Sequence, residues 1–181
     1  EIKNALEASP GVAGRIERVE GSGQNGNPVV LVDYAHTPDA LENVSSTLAD
    51  IKTEGRTLHI IFGCGGNRDK TKRPKMATIA EKYGDKITVT SDNPRNEDPD
   101  TIIDEIIEGF NNPESITRIT DRREAIERTI KEADASTMIL IAGKGHETYQ
   151  EVTGKRHDFD DRAIAQAALG SRNKNPKKEG T

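Results

Sequence analysis

The stretch PVVLVDYAHTPD, Pro28 to Asp39, carries a strand, a polar loop and a helix start in direct succession. Pro28 to Val32 is a continuous apolar run rich in β-branched residues, the pattern of a strand buried on both faces. Asp33, Tyr34, Ala35 and His36 end it. Thr37, Pro38 and Asp39 then supply a capping hydroxyl, a proline at the first helical position and an acid in the first turn. A helix is expected from there to about Thr53. Strand, short polar loop and helix make half of a parallel βαβ unit, and the pattern recurs along the chain.

Upstream, Ile2 to Ala8 has helical spacing stopped by Ser9, Pro10 and Gly11, and Ile16 to Glu20 reads as a short edge strand. The run GSGQNGN, Gly21 to Asn27, is a turn rich in Gly and Asn. Downstream, strands are expected at Leu58 to Phe62, Lys86 to Thr90, Ile116 to Thr120 and Thr137 to Ala142. Helices are expected between them: one ending near Tyr83 with Gly84 as its stop, one from Asp98 and Pro99 to Phe110, and one capped by Asp121 and running to about Ala133. Thr148 to Val152 reads as a last, antiparallel strand paired through the turn at Thr153, Gly154 and Lys155. A helix from Asp160 and Asp161 to about Leu169 closes the pattern, and the polar tail from Ser171 to Thr181 is expected to be disordered. The fold class is therefore α/β: three layers, a mostly parallel sheet of about six strands, and helices on both faces.

The totals bound the function. A chain of 181 residues fits one domain with short ends. It has no apolar run near the length of a membrane span. The opening EIKNALEASP has no secretory leader and no initiator Met, so the sequence reads as part of something longer. The single cysteine, Cys64, excludes an internal disulfide framework and fits a reducing cytoplasm. A net charge of −5 and the lack of Trp oppose a nucleic-acid surface.

In an open parallel sheet, ligands bind at the carboxyl ends of the strands. Four loops rich in Gly and charge fall there: DYAHTPD, GCGGNRD, SDNPRN and GKGHE. In the third, Asp92, Asn93, Pro94 and Arg95 place an acid, an amide, a rigid turn and a guanidinium together. Such a set can grip a zwitterion, the acid taking an ammonium and the guanidinium a carboxylate; it can equally be a solvated turn with an ion pair. Gly63 to Asp69 is not a dinucleotide fingerprint, because Arg68 stands where the third glycine is required. It remains either an anion-binding turn at a helix start or a tight turn with an exposed Arg68. Gly143 to Glu147 is not a phosphate loop of the Gly-Lys-Ser/Thr kind, since Met138 and Gly145 occupy two of its required positions. Its glycines permit close approach of a ligand, and Glu147 offers a carboxylate to an ammonium. Asp33 and His36 read as hydrogen-bonding residues, because His36, His59, His146 and His157 lack metal-ligand spacing. Cys64 reads as a small buried residue. Lys70, Lys72, Arg73 and Lys75 read as a solvated face or a phosphate-steering patch.

Together the words VAGRIERV, VDYAHTPDALENV, IFGCGGNRDKTKRPKMA, TSDNPRNEDP, DRREAI and IAGKGHETYQ with HDFDDR closely resemble the C-terminal domain of the Mur ligases. They run in family order from about Gly11 to Leu169, and DNPR resembles the mark of the diaminopimelate-adding branch. The resemblance implies a Rossmann-like domain over residues 11–170, preceded by a linker helix over 1–10. It implies an ATP-dependent amide ligation in bacterial cell-wall synthesis, in which a carboxylate of UDP-MurNAc-L-Ala-D-Glu becomes an acyl phosphate that the amine of meso-diaminopimelate attacks. Carried over by position, the amino-acid contacts fall on Arg68, Asp92, Asn93, Pro94, Arg95, Gly143 and Glu147, and ATP contacts on Asp33 and His36.

Chemistry fits that assignment. Arg68 and Arg95 suit carboxylates, while Asp92 and Glu147 suit the distal ammonium. Lysine would leave Arg95 unpaired, at a cost of about 3–5 kcal/mol for a buried charge. The family's UDP-binding and ATPase domains, with their phosphate loop, Mg2+ ligands and modified lysine, do not match any part of the chain. The expectation is a C-terminal domain inactive alone, with no catalytic or metal-binding residue of its own. ATP and Mg2+ would be held mainly by the other domains of the same protein. Ala13 departs from the proline more usual in this family. Two other readings stay open: a relative that adds lysine or another amino acid, and a non-catalytic binding module of the same fold.

Overall fold

A computed structural model describes residues 14–174. The linker helix expected over residues 1–10 and the departure at Ala13 lie outside them. Eight strands are present: β1 (Glu17–Arg18), β2 (Val29–Asp33), β3 (Thr57–Phe62), β4 (Lys86–Val89), β5 (Thr117–Arg118), β6 (Thr137–Ala142), β7 (Tyr149–Val152) and β8 (Lys155–Asp158). Five α-helices accompany them: α1 (Pro38–Ile51), α2 (Lys72–Tyr83), α3 (Pro99–Ile107), α4 (Arg122–Glu132) and α5 (Asp161–Lys174). The first six strands form one sheet in the order β1-β2-β6-β3-β4-β5. All its pairings are parallel except β1 with β2.

The apolar runs are continuous because both faces of the sheet are covered. Leu31, Leu58, Ile60, Phe62, Val89 and Leu140 pack with α1, α2 and α3 on one face. Val30, Val32, Ile61, Ile139 and Ile141 pack with α4 and α5 on the other. Helix starts follow their caps. Thr37 accepts from the Ala40 amide, Asp98 from those of Asp100 and Thr101, and Asp121 from that of Glu124.

This layering positions the site. The helices after β2, β3 and β4 share one face, whereas those after β5 and β6 lie on the other. Strand β6 sits between β2 and β3, so its outgoing chain diverges from both neighbours. A crevice opens at their carboxyl ends, as it does wherever strand order reverses in such sheets. A fully buried ion pair closes the lower part of this crevice. Arg122 Nε and Nη2 donate to the two carboxylate oxygens of Asp161 at 2.9 and 2.8 Å. Arg122 Nη1 and Nη2 also reach the carbonyls of Ser91 and Ala142, at the ends of β4 and β6.

The expected antiparallel pairing of the strand from Thr148 through the turn is present: β7 and β8 form a hairpin through Thr153 and Gly154, separate from the main sheet. Two expectations change. Helix α5 continues through Ser171 to Lys174, where a disordered tail was expected; the rest of that tail, 175–181, lies outside the described residues. Its continuation is anchored: the Ser171 hydroxyl bonds the Ala168 carbonyl, and Arg172 reaches the Lys131 carbonyl of α4. Finally, α3 stops at Ile107 rather than Phe110; Gly109 beyond it lies against Pro74, whose carbonyl oxygen would be 2.3 Å from an added Cβ.

Two stability predictions follow from this frame. Asp161→Ala leaves Arg122 buried without its carboxylate and is expected to cost about 3–5 kcal/mol in urea unfolding. His59 lies on β3 with its Nε2 2.9 Å from the Thr88 hydroxyl, and burial, then Lys86, pull its imidazole down to about 4. The unfolded chain therefore binds a proton below about pH 6.5 that the folded chain refuses until about pH 4. Stability is expected to fall by about 2 kcal/mol between pH 6.5 and 5, and His59→Gln should remove that part of the pH slope.

Candidate functional site

Three loops meet at the carboxyl ends of β3, β4 and β6, and the hairpin closes over them. Their centre is Asn93. Its side-chain oxygen accepts from Lys144 Nζ at 3.0 Å and from the Glu151 amide at 2.9 Å, and its Nδ2 donates to Glu147 Oε2 at 2.9 Å. Lys144 is fully buried and pairs with the same Glu147 oxygen at 3.0 Å. Asp92 is buried beside it. An added Cβ on Gly143 would come within 2.6 Å of Asp92 Oδ2, and Gly143 has φ +119°, so only glycine fits there.

The hairpin holds the other side of the DNPR turn. Gln150 Nε2 donates to the Asp92 carbonyl at 2.7 Å and to the Ser91 hydroxyl at 3.1 Å. The Arg95 amide donates to the Glu151 carbonyl at 2.9 Å, and the Arg95 carbonyl accepts from the Thr153 amide at 2.6 Å. Arg95 has φ +53°, a left-handed turn that brings its Nη1 to the Gly66 carbonyl at 2.9 Å. An added Cβ on Gly66 would meet the Pro94 carbonyl oxygen at 1.9 Å, so the glycine loop and the DNPR turn lie backbone to backbone. A Cβ on Gly65 would fall 2.8 Å from Arg95 Nη1 and 3.8 Å from Arg68 Cγ. The two arginines thus flank one glycine, and Arg68 is exposed.

The expected residues divide into two groups. Asp92, Asn93, Pro94, Arg95, Gly143 and Glu147 come together, with Arg68 at the rim. Asp33 and His36 belong to the neighbouring loop after β2. Asp33 Oδ2 accepts from the Ile16 amide and Oδ1 from the Ala35 amide, both within 2.8 Å, so its carboxylate shapes the loop that carries His36. His36 is exposed. Its ring lies 4.5 Å from that of Tyr34, which in turn lies 5.2 Å from that of His146. Burial, then the Glu147 carboxylate, hold the Tyr34 phenol above its usual range, with Tyr149 and Asp92 adding to the effect.

The structure corrects three readings of single motifs. The turn at Gly63 to Asp69 is not an open anion nest, because the Gly66 amide serves the Asn93 carbonyl and the Asn67 amide serves Glu97. The cluster Lys70 to Lys75 is not simply a solvated face. Arg73 is fully buried, and its guanidinium bonds Glu97 and Glu105. Nor does Arg95 stand unpaired in the absence of a ligand, since its Nε lies 3.5 Å from Glu151 Oε2. Lys144, Gln150 and Glu151 are the residues that reading of the sequence missed. Lys144 lay in view inside GKGHE, and its three-residue spacing from Glu147 was the available signal.

Among the described residues, no group of three or more His, Cys, Asp or Glu is placed to hold a metal ion. No described helix is long and apolar enough to cross a membrane.

Comparison with known proteins settles the family. The family model for the glutamate ligase domain of Mur ligases matches residues 14–145. The chain belongs to the Mur ligase family. A UDP-N-acetylmuramoyl-L-alanyl-D-glutamate–2,6-diaminopimelate ligase of Pseudomonas putida is 47% identical over 170 residues, covering 94% of this chain and 34% of that protein. The ligase of the same name from Chlorobium phaeobacteroides is 46% identical over 179 residues, 99% of this chain and 34% of the relative. A solved structure with that ligase name superposes at a TM-score of 0.81 with 40% identity, over 91% of this chain and 33% of that one. The chain thus spans about a third of the length of the curated relatives it matches. The Mur ligase match ends at Gly145, so the hairpin that clamps DNPR lies beyond it.

Cys64 is buried against Met76, with its sulfur 3.7 Å from the thioether, and burial pushes its thiol up to about 12. Iodoacetamide at pH 8 is therefore expected to leave Cys64 intact in the native protein and to alkylate it fully in denaturant. Rapid native alkylation would contradict the buried position.

Proposed function

We propose that this chain is the amino-acid-recognition domain of an ATP-dependent ligase that adds meso-diaminopimelate to UDP-MurNAc-L-Ala-D-Glu in bacterial peptidoglycan synthesis, in the cytoplasm. The observation that carries this reading is the convergence of Asp92, Arg95 and Glu147 around Asn93, with Arg68 at the rim of the same crevice. Two arginines and two carboxylates mark different parts of it. Arg68 and Arg95 border Gly65, whereas Asp92 adjoins Gly143. A ligand with a carboxylate and an ammonium at its distal end matches that division. Lysine supplies only the ammonium.

The residues of the chain do their work by binding and orienting. Arg95 takes the distal carboxylate, and Arg68 closes on a carboxylate from the rim. Glu147 keeps Oε2 on Lys144 and Asn93 and turns Oε1 to the ammonium, with Asp92 beside it. This grip presents the reacting amine toward the acyl phosphate, so the domain contributes proximity and orientation rather than proton transfer. ATP supplies the phosphoryl group that activates the D-glutamate carboxylate. Asp33 fits as the residue that shapes the loop, and His36, with the rings of Tyr34 and His146, as the exposed groups nearest a nucleotide on this chain's side. Mg2+ is assigned to the remainder of the longer protein, together with the phosphate loop. The chain alone is inferred to be inactive.

In the full-length ligase, Arg95→Ala is expected to raise the KM for diaminopimelate by about 10- to 100-fold, the weight of a lost hydrogen bond to a charged group. Turnover with lysine at saturating concentration should change little. An equal loss for both amino acids would refute selection by Arg95.

A further inference from the structure

Glu151 is not among the residues that hold the amino acid in the reading above, yet it is the anion closest to the guanidinium that reading depends on. Its Oε2 lies 3.5 Å from Arg95 Nε, longer than a strong charge-assisted hydrogen bond. Both side chains are partly exposed, Arg95 at 20% and Glu151 at 26%. The backbone of Glu151 is fixed on both sides: its amide is held by Asn93 Oδ1, and its carbonyl by the Arg95 amide. The main chain of Glu151 is therefore held beside the DNPR turn, with Arg95 within reach of its side chain. Arg95 Nη1 is directed to the Gly66 carbonyl at 2.9 Å, which sets the plane of the guanidinium independently of Glu151.

We propose that Glu151 is a specificity-determining residue that competes with the ligand's distal carboxylate for Arg95, and so sets how strongly the site prefers a diacid over lysine. The proposal rests on the reading of Arg95 as the carboxylate receptor. When the site is empty, Glu151 partly neutralises Arg95. When a diacid binds, its carboxylate meets a cation already shared with Glu151, and affinity is weaker than the bare guanidinium would give. When lysine binds, Glu151 still balances Arg95, so the cost of leaving that charge without a ligand partner is reduced. The competing carboxylate thus lowers affinity for the preferred substrate and lowers the penalty for the wrong one.

The sign of this effect separates it from a structural role. Glu151→Gln keeps the shape and the backbone bonds but removes the charge. In the full-length ligase, the KM for diaminopimelate should fall by about three- to fivefold, the weight of one partly exposed ion pair. Its kcat should stay unchanged, the KM for lysine should stay level or rise, and Glu151→Asp, which keeps the charge one methylene farther from Arg95, should fall between Glu151→Gln and wild type. A variant that merely loosens the hairpin would raise the KM for both. An unchanged or raised KM for diaminopimelate in Glu151→Gln, with the thermal midpoint preserved, overturns the competition. Parallel assay of Arg95→Ala identifies where a failure lies. If Arg95→Ala is selective and Glu151→Gln is silent, only the competition fails. If Arg95→Ala weakens both amino acids equally, the reading of Arg95 fails and the competition falls with it.

Discussion

The site depends on one buried guanidinium. Arg122 is removed from water, where a bare charge would be costly, and the four hydrogen bonds it donates compensate it: two to Asp161 and one each to the carbonyls of Ser91 and Ala142. Those carbonyls belong to the residues immediately before the DNPR and GKGHE turns. Asp161 opens α5 and Arg122 opens α4, so a single ion pair fixes two helix starts and two strand ends. Any shift between the two helices would move the two ligand-facing turns relative to each other. An apolar contact of the same volume could fill the space, but it could not fix the direction of two backbone carbonyls.

The same device recurs at smaller scale. Arg73 ties the helix after the glycine loop to Glu97, just beyond DNPR, and to Glu105 of α3. Lys144 ties the loop after β6 to Asn93 in the loop after β4. Each buried cation joins two loops that are far apart in sequence, and each carboxylate it meets also holds a second donor. Glu97 takes the Asn67 amide, and Glu147 takes the Asn93 amide group. Networks satisfied in this way are stiff, because moving one member strands another in a medium of low dielectric. The three loops are consequently held in place by contacts of the chain itself.

How much of this the sequence disclosed follows from what each level depends on. Strands and helices rest on local pattern, and PVVLV, TMILIA and the caps at Thr37, Asp98 and Asp121 carried it plainly. The site loops were legible because a parallel sheet directs its strand ends to one edge. The Mur ligase match confirms the family that those loops resemble. What stayed hidden were long-range pairings of charged residues. Arg73, Arg122 and Lys144 look like solvated residues by composition, since buried cations are rare, and nothing within a few residues of Arg122 announces Asp161. The β7–β8 hairpin was visible as its first strand and its turn. Its second strand, Lys155–Asp158, is exposed throughout and has no apolar alternation to mark it.

The backbone takes an uncommon conformation on both turns that meet at Gly65 and Gly66. Asn67 and Arg95 both adopt positive φ, at +52° and +53°, on the two turns that face each other across Gly65 and Gly66. Asn tolerates that conformation better than most residues, but Arg gains nothing from it locally, and such a residue persists only where its surroundings impose it. Here they do. The Arg95 amide and carbonyl are both taken by the hairpin, while its side chain is drawn to Gly66 on the opposite side. Glycine at position 95 would relieve the backbone but discard the guanidinium, and with it the bond to the Gly66 carbonyl and the pair with Glu151.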